Sequence, residues 1–189
     1  MKAFVKVLAL STIFFFSLHS AEAQLKPGAN SISTDLKKVI DDYPSHFSHI
    51  AGDLIMQNPQ STDYRCNFQV SGAEECTITR YSGKKGQVSS WQALMLTTDD
   101  FEEAKKRFKS LYGQINNLSV RAIQLKGVYE TPVEEKKFTS VIFSFDTADE
   151  SLKKLKIELI MEAEQMDWKI KLVVYDRDRD DDERGEIIE

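Results

Sequence analysis

Two histidines and an aspartate stand close together near the start of the chain, with a spacing that could serve metal binding. His46 and His49 are three residues apart, and Asp53 follows His49 by four. On a helix the three side chains would share one face, as zinc ligands often do. Pro44 and Gly52 argue against a continuous helix, so an exposed turn near a helix end is the preferred interpretation. We therefore expect no metal and no other cofactor.

The same two histidines are the candidates for general-base catalysis. A hydrolase would use His46 or His49 together with a nearby acid. The chain contains no Gly-x-Ser-x-Gly motif, no glycine-rich phosphate loop and no dinucleotide fingerprint. A secreted hydrolase or metal-binding protein built on these histidines is therefore the alternative hypothesis, and a non-catalytic function is preferred.

The acidic end of the chain is a second place where a cation could bind. Asp178, Asp180 and Asp182 would occupy positions one, three and five of a twelve-residue calcium loop that ends at Glu189. The sixth position is Glu183, where such a loop needs glycine, and no second helix follows. The sequence indicates instead a solvated, disordered acidic tail over residues 176–189.

Charge and composition exclude several classes of partner. The chain has 189 residues, of which 41% are hydrophobic and 29% are charged, as is typical of a globular protein with one domain. The formal net charge is -5. Without residues 1–23 it becomes -6, and residues 176–189 alone contribute -5 of this. The rest of the chain is nearly neutral, so we expect neither nucleic acid nor anionic lipid as a partner.

The first 23 residues have the layout of a secretory signal peptide. Lys2 and Lys6 precede an apolar run over residues 7–18, and Ala21-Glu22-Ala23 forms a small-x-small cleavage site. An uncleaved membrane anchor is the alternative, but the apolar run is short for a span. We expect a mature chain that begins at Gln24, lies in the periplasm or outside the cell, and does not insert stably into a membrane.

Export makes the two cysteines informative. The segment 63–70 alternates apolar and polar residues and predicts a strand, and a second strand is predicted over residues 75–81. If the two strands form a hairpin with a turn at Ser71-Gly72, Cys66 and Cys76 lie roughly opposite each other. A disulfide is then feasible and would be stable in an oxidising compartment.

The strongest helical pattern spans residues 99–118. Its apolar residues recur at steps of three and four, and they are Phe101, Ala104, Phe108, Leu111, Tyr112, Ile115 and Leu118. Asp99 can cap this helix, and the pairs Glu102/Lys106 and Glu103/Arg107 fit its wet side. A shorter helix, capped by Ser33 or Thr34, is predicted to end near Asp42. Residues 45–56 could add an amphipathic turn or two.

The last two predicted strands alternate cleanly and suggest a hairpin. Their apolar sets match if Met161 faces Trp168, Leu159 faces Ile170 and Ile157 faces Leu172. The outward positions would then place Lys156 or Glu158 near Lys171 or Lys169. Between the main helix and this hairpin, residues 119–129 fit a strand or a helix extension equally well, and a strand is predicted over residues 138–146.

Together these elements predict one α+β domain over residues 24–175. Its antiparallel sheet would have about six strands, with two main helices packed on one face, in the order α-β-β-β-α-β-β-β. The preferred function is an exported binding or accessory module that acts through a sheet face or edge, with a protein of unknown identity as the candidate partner. The candidate surface is a set of four lysines on the final hairpin: Lys154, Lys156, Lys169 and Lys171.

Overall fold

The computed structural model describes residues 31–83, 86–116, 118–120, 123–144 and 150–176. In chain order the elements are α1 (Ile32–Asp42), β1 (Ala51–Gln57), β2 (Ser61–Cys66), β3 (Glu75–Gly83), β4 (Gly86–Thr98), α2 (Phe101–Asn116), β5 (Ser119–Val120), β6 (Ile123–Gln124), β7 (Phe138–Phe143), α3 (Glu150–Lys153), β8 (Leu155–Glu164) and β9 (Asp167–Asp176). Two single-turn 3-10 helices span Tyr43–Ser45 and Glu134–Lys136. The predicted signal peptide and residues 177–189 of the predicted tail lie outside the described residues.

Seven strands form one antiparallel sheet in the order β1-β2-β3-β4-β9-β8-β7. The chain is therefore an α+β protein, as predicted, with one strand more than the six expected. The strand β4 lies at the centre of this sheet, because it joins the β1–β3 half to the β7–β9 half. The strands β5 and β6 form a separate pair, which assigns the ambiguous segment after α2 to extended structure.

The main helix rests its apolar stripe on the inner face of the sheet, which is the face that carries the helices. Four residues of α2 are buried, namely Ala104, Phe108, Leu111 and Ile115, and the helix contacts β4, β8 and β9. The facing positions of the sheet, including Trp91 and Leu172, are fully buried too. Each fully buried large apolar side chain contributes about 1.5–3 kcal/mol, so this layer is the main source of stability.

Both helices begin one or more residues away from the predicted caps. The side chain of Ser31, not Ser33 or Thr34, caps α1. At α2 the cap is Asp100 in place of Asp99, because Asp100 Oδ1 accepts hydrogen bonds from the backbone N–H groups of Glu102 and Glu103 at 2.8 and 3.1 Å. A cap must lie immediately before the first helical residue, and either aspartate has the right chemistry.

The predicted ion pairs four residues apart on α2 are replaced by other contacts. Lys105 pairs with Glu102 three residues away, at 3.2 Å. Arg107 donates to the backbone carbonyl of Gly72 at 3.0 Å, instead of to Glu103. A Cβ atom at Gly72, which has a φ of +72°, would lie 2.7 Å from that guanidinium. The glycine therefore suits both its left-handed backbone and the close approach of α2.

The extra strand is β1, in a segment where the sequence favoured a helical turn. This strand pairs with β2 on one side, with two shifts of register along the pair. Its burial is low along almost the whole length. Because neither face of β1 is buried, its sequence carries no alternation of apolar and polar residues, and the usual signal for a strand is missing.

The strand predicted over residues 63–70 ends early, at Cys66. After it the chain leaves the sheet and is held by α1. Asp35, which is fully buried, accepts hydrogen bonds from the N–H and the hydroxyl of Ser71 at 2.9 and 2.7 Å. These two hydrogen bonds hold Ser71 against α1, and the connection from β2 to β3 is longer than the predicted two-residue turn.

The predicted register of the last hairpin is wrong by two residues. In the structure Met161 faces Ile170, Leu159 faces Leu172 and Ile157 faces Val174. A shift of two keeps each side chain on its predicted face, so the pattern alone could not distinguish the two registers. The turn decides, because a two-residue loop, Gln165-Met166, with Gln165 at a φ of 58°, joins β8 to β9.

Candidate functional site

The three residues of the predicted metal set lie in three different local structures. His46 ends a 3-10 helix with a φ of 53°, His49 lies in a turn, and Asp53 lies in β1. The helix that would have aligned them does not form. Asp42 instead organises the turn: its carboxylate accepts from the backbone N–H groups of His49 and Ile50 at 3.0 and 3.2 Å and lies 2.5 Å from His49 Nδ1.

This arrangement gives His49 a structural contact with Asp42 at the end of α1. Within the described ranges, no cluster of three or more His, Cys, Asp or Glu residues could hold a metal ion. His46 lines a small cavity together with Ser89 and Asp176. A serine nucleophile would need a hydrogen bond to its base, and Ser89 Oγ is buried without a partner among the described residues. The contact of His49 with Asp42 places a histidine beside an acid, as the hydrolase hypothesis requires, but among the described residues Ser89 has no hydrogen bond to either histidine, and the hypothesis remains a prediction.

The candidate lysines lie along one end and the outer face of the final hairpin. Lys169 and Lys171 project from β9 and bind the acids of β8 across the hairpin. Lys169 pairs with Glu164, and Lys171 pairs with both Glu162 and Glu164. These partners differ from the predicted Lys156 and Glu158 because of the two-residue shift of register. The ion pairs neutralise much of the positive charge that made this surface a candidate.

The remaining two lysines are placed differently. Lys154 is exposed in the turn before β8. Lys156 lies on the outer face, with its ammonium group 5.9 Å from the centre of the Tyr175 ring. On the same face, Tyr175 donates its hydroxyl to the buried carboxylate of Glu158 at 2.9 Å. The outer face of β8 and β9 is therefore built from polar pairs that satisfy each other.

These contacts shift two pKa values in a consistent way. The hydrogen bonds from Lys169 and Lys171 lower the pKa of Glu164 from 4.5 to about 2. Burial by itself would lower the pKa of Lys171, but the hydrogen bonds to Glu162 and Glu164 outweigh burial and raise the pKa. Both shifts favour the charged forms, so the ion pairs are fully formed near neutral pH.

A polar depression of about 190 Å³ lies on the outer face, beside the ion pairs of Lys169 and Lys171. The residues that line it come from β3, β4 and β9, and they are Glu75, Thr77, Gln92, Leu94, Lys169 and Lys171. A simple anion would meet the carboxylate of Glu75 there, and both lysines already have carboxylate partners. The depression is suited to a neutral polar group more than to a phosphate or sulfate.

The cysteine pair forms the predicted bridge. Cys66 and Cys76 are joined by a disulfide, with their Cα atoms 5.5 Å apart. Their neighbours Arg65 and Thr77 face each other in the β2–β3 pair, so the bridge crosses adjacent strands. The chain between the cysteines borders a groove of about 400 Å³. The bridge thus joins β2 to β3 at the point where β2 ends.

The most exposed apolar feature of the sheet was missed by the sequence analysis. Leu54, Ile55 and Met56 follow one another in β1, and their exposed fractions are 57%, 41% and 54%. The strand is at the edge of the sheet and pairs with β2 alone among the described strands. The signal was present as a short apolar run between Gly52 and Asn58-Pro59, which is ambiguous between a strand and a turn of helix.

The opposite edge of the sheet also has exposed apolar residues, but they are interrupted. In β7 the exposed ones are Phe138 and Ile142, and residues with smaller or buried side chains separate them. An isolated bridge between Lys126 and Ser144 extends the pairing of this edge. The three consecutive apolar residues of β1 therefore make the better candidate for a binding site.

None of the described helices is long and apolar enough to cross a membrane. In comparisons with known proteins, no family model, no curated protein and no solved structure matches the chain.

Proposed function

We propose that this chain is an exported, non-catalytic binding module that accepts an extended segment of a partner polypeptide along β1. The observation that carries the proposal is the run Leu54–Met56, three exposed apolar residues in sequence on an edge strand. Proteins usually protect such an edge with lysine, proline, a bulge or a covering element, because its backbone groups can pair with another chain. Here β1 contains no lysine and no proline, and its apolar run is exposed despite the two shifts of register against β2.

The chemistry of the partner follows from that of the strand. An added strand would satisfy the free N–H and C=O groups of β1, and its apolar side chains would cover those of Leu54, Ile55 and Met56. Asp53 is the single charged residue of β1. An extended apolar segment with a lysine or arginine at one end is therefore the complementary partner.

Export is part of the same proposal, and two observations support it. The disulfide Cys66–Cys76 is of a kind that persists in oxidising compartments. The sequence of residues 1–23 has the layout of a signal peptide. Mass spectrometry of the exported protein should find Gln24 as the first residue of the mature chain.

A defined peptide tests the edge directly. The probe is a peptide of alternating valine and threonine with a lysine at one end, titrated into the ¹⁵N-labelled protein. We expect saturable shifts of the β1 amides and slower hydrogen exchange there, since new backbone hydrogen bonds form. A control peptide with an N-methyl group on every residue has no backbone N–H to donate at either edge and should not bind.

Two charge variants separate the edge from the outer face. Ile55→Lys should weaken binding of the probe about tenfold or more, because a charge replaces an apolar contact at the strand centre. Reversing Lys154 and Lys156 together should leave it unchanged. Shifts confined to β8 and β9, or the same affinity for the N-methylated peptide, would refute the edge as the site. Association of the protein with itself, checked by sedimentation equilibrium, would identify a second copy as the occupant.

A further inference from the structure

A small cavity lies on the inner side of the sheet, where the 3-10 helix after α1 meets β4 and β9. Its volume is about 90 Å³, roughly three times the share of one water molecule in the liquid. The residues that line it come from these three elements and from the turn after the 3-10 helix, and they are Tyr43, Pro44, His46, Phe47, Val88, Ser89 and Asp176. The cavity is separate from the exposed edge of β1, and the inference drawn from it is independent of the proposed function.

One polar group in the wall of this cavity has no hydrogen-bond partner among the residues that the structure describes. Ser89 is only 4% exposed, and its Oγ is buried without a hydrogen bond among the described residues. A buried hydroxyl in this situation costs free energy, since it loses its hydrogen bonds to water on folding. A ligand with a polar atom in the cavity would supply the missing hydrogen bond.

The other polar groups of the wall define the charge of that ligand. Asp176 Oδ2 accepts a hydrogen bond from the Tyr43 hydroxyl at 3.1 Å, and a carboxylate accepts several bonds at once. The residues of the cavity wall therefore include a carboxylate and two hydroxyls, whose oxygens can accept hydrogen bonds. The carboxylate of Asp176 therefore favours a cation with several N–H donors.

The apolar part of the wall distinguishes an organic cation from a metal ion. Pro44, Phe47 and Val88 line the cavity beside the polar groups and can contact carbon atoms of a ligand. A metal ion would need more carboxylate or imidazole ligands than Asp176 and His46 provide. We propose that this cavity binds a primary alkylammonium group, which comes either from a small free amine or from the end of a lysine side chain.

The test is an NMR titration of the full chain labelled with ¹⁵N. One arm uses ethylammonium chloride and the other uses N-acetyl-lysine methylamide, with sodium chloride at the same ionic strength as the control. We expect saturable shifts centred on residues 43–47, 88–89 and 175–176. Shifts with ethylammonium alone identify a free amine as the ligand, whereas shifts with both probes show that a lysine side chain can enter. Equal shifts with sodium chloride, or no saturation by about 100 mM, overturn the proposal.

Two variants test the named groups. Asp176→Asn should weaken ethylammonium binding about tenfold or more, because it removes the charged acceptor. Ser89→Ala should weaken it about threefold, because it removes one neutral hydrogen bond. Glu102→Gln makes the same change in net charge at the N-terminus of α2, near the other end of β9, and should have no effect. If Asp176→Asn does not keep the wild-type spectrum, Ser89→Ala decides alone, and unchanged affinity in that variant overturns the assignment.

Discussion

The pairs β1–β2 and β8–β9 are both antiparallel, but they differ in regularity and in burial. In β8–β9 ten consecutive residue pairs face each other without a shift of register, and the inward side chains are almost completely buried. In β1–β2 the register shifts twice, and three consecutive apolar side chains of β1 are exposed. The same kind of backbone pairing therefore supports a core in one place and an open edge in the other.

The difference shows what produces an alternating sequence. Apolar and polar residues alternate along a strand when one face is buried and the other is exposed to solvent, because burial disfavours polar residues at every second position. β1 has no buried face, so its residues are free of that constraint. An apolar run that no core requires is more informative about binding than one that the core needs.

The largest expected effect separates the two pairs by their contribution to stability. Leu172→Ala in β9 should lower the free energy of unfolding by about 3 kcal/mol, since it removes a fully buried side chain and leaves a cavity. Leu54→Ala in β1 removes the same atoms from an exposed position and should change the free energy of unfolding by less than about 0.5 kcal/mol. Urea denaturation followed by tryptophan fluorescence measures both values.

A loss of 2 kcal/mol or more in the Leu54 variant would contradict the comparison. It would show that β1 is covered in solution and that its apolar residues belong to a core. The proposed binding edge would then have to be abandoned as well.

Sequence reasoning predicted the parts of the fold that burial organises. The apolar stripe of α2 and the alternation in β8 and β9 are direct consequences of contact with the core, so they were visible at a spacing of 3.6 or 2 residues. Register was not visible in this way, since the assumed pairing of Met161 with Trp168 placed the same faces inward as the real one. The turn at Gln165-Met166 carried the missing information, and its residues are not among the usual turn formers.

The candidate sites were harder to predict for the same physical reason. The disulfide was predictable because a hairpin brings its two cysteines together at short range. The ion pairs of Lys169 and Lys171 depend on register and were therefore assigned to wrong partners. Ser89 gives no signal in the sequence, because a serine on a strand becomes unusual only when packing buries its hydroxyl, here without a hydrogen bond in the described part of the chain.

The next largest effect concerns the disulfide that joins β2, the partner of the irregular strand β1, to β3. Replacing Cys66 and Cys76 together by alanine should lower the free energy of unfolding by roughly 2–3 kcal/mol, because the unfolded chain regains the freedom of a short closed loop. The wild-type protein in a strong reductant should lose a similar amount, and the double variant should not respond to the reductant. If reduction leaves the wild-type unfolding curve unchanged although free thiols are detected, the strands β1 to β3 are stable without the disulfide.

The smallest effect concerns the ion pairs between β8 and β9, which are tested by the pH dependence of stability. The pKa of Glu164 is about 2 in the folded chain and 4.5 ordinarily, so its charged form stabilises the fold above about pH 4.5. That contribution is lost as the pH falls from 4.5 towards 2. The Glu164 side chain is 39% exposed, so solvent screening limits the contribution to at most about 1 kcal/mol. Lys171 contributes in the alkaline range. Because its pKa is raised in the folded chain, its stabilising contribution is lost only when the pH rises through that raised pKa.

Glu164→Gln should therefore be less stable than the wild type at pH 7, and the difference should shrink towards zero near pH 2.5. Asp53→Asn is the matched control on β1, where the carboxylate is exposed, and it should show no comparable change between the two pH values. Thermal unfolding of the three proteins at both pH values measures the effect. A deficit of Glu164→Gln that stays constant down to pH 2.5 would mean that the glutamate acts through packing, and that its ion pairs with Lys169 and Lys171 do not stabilise the β8–β9 pair.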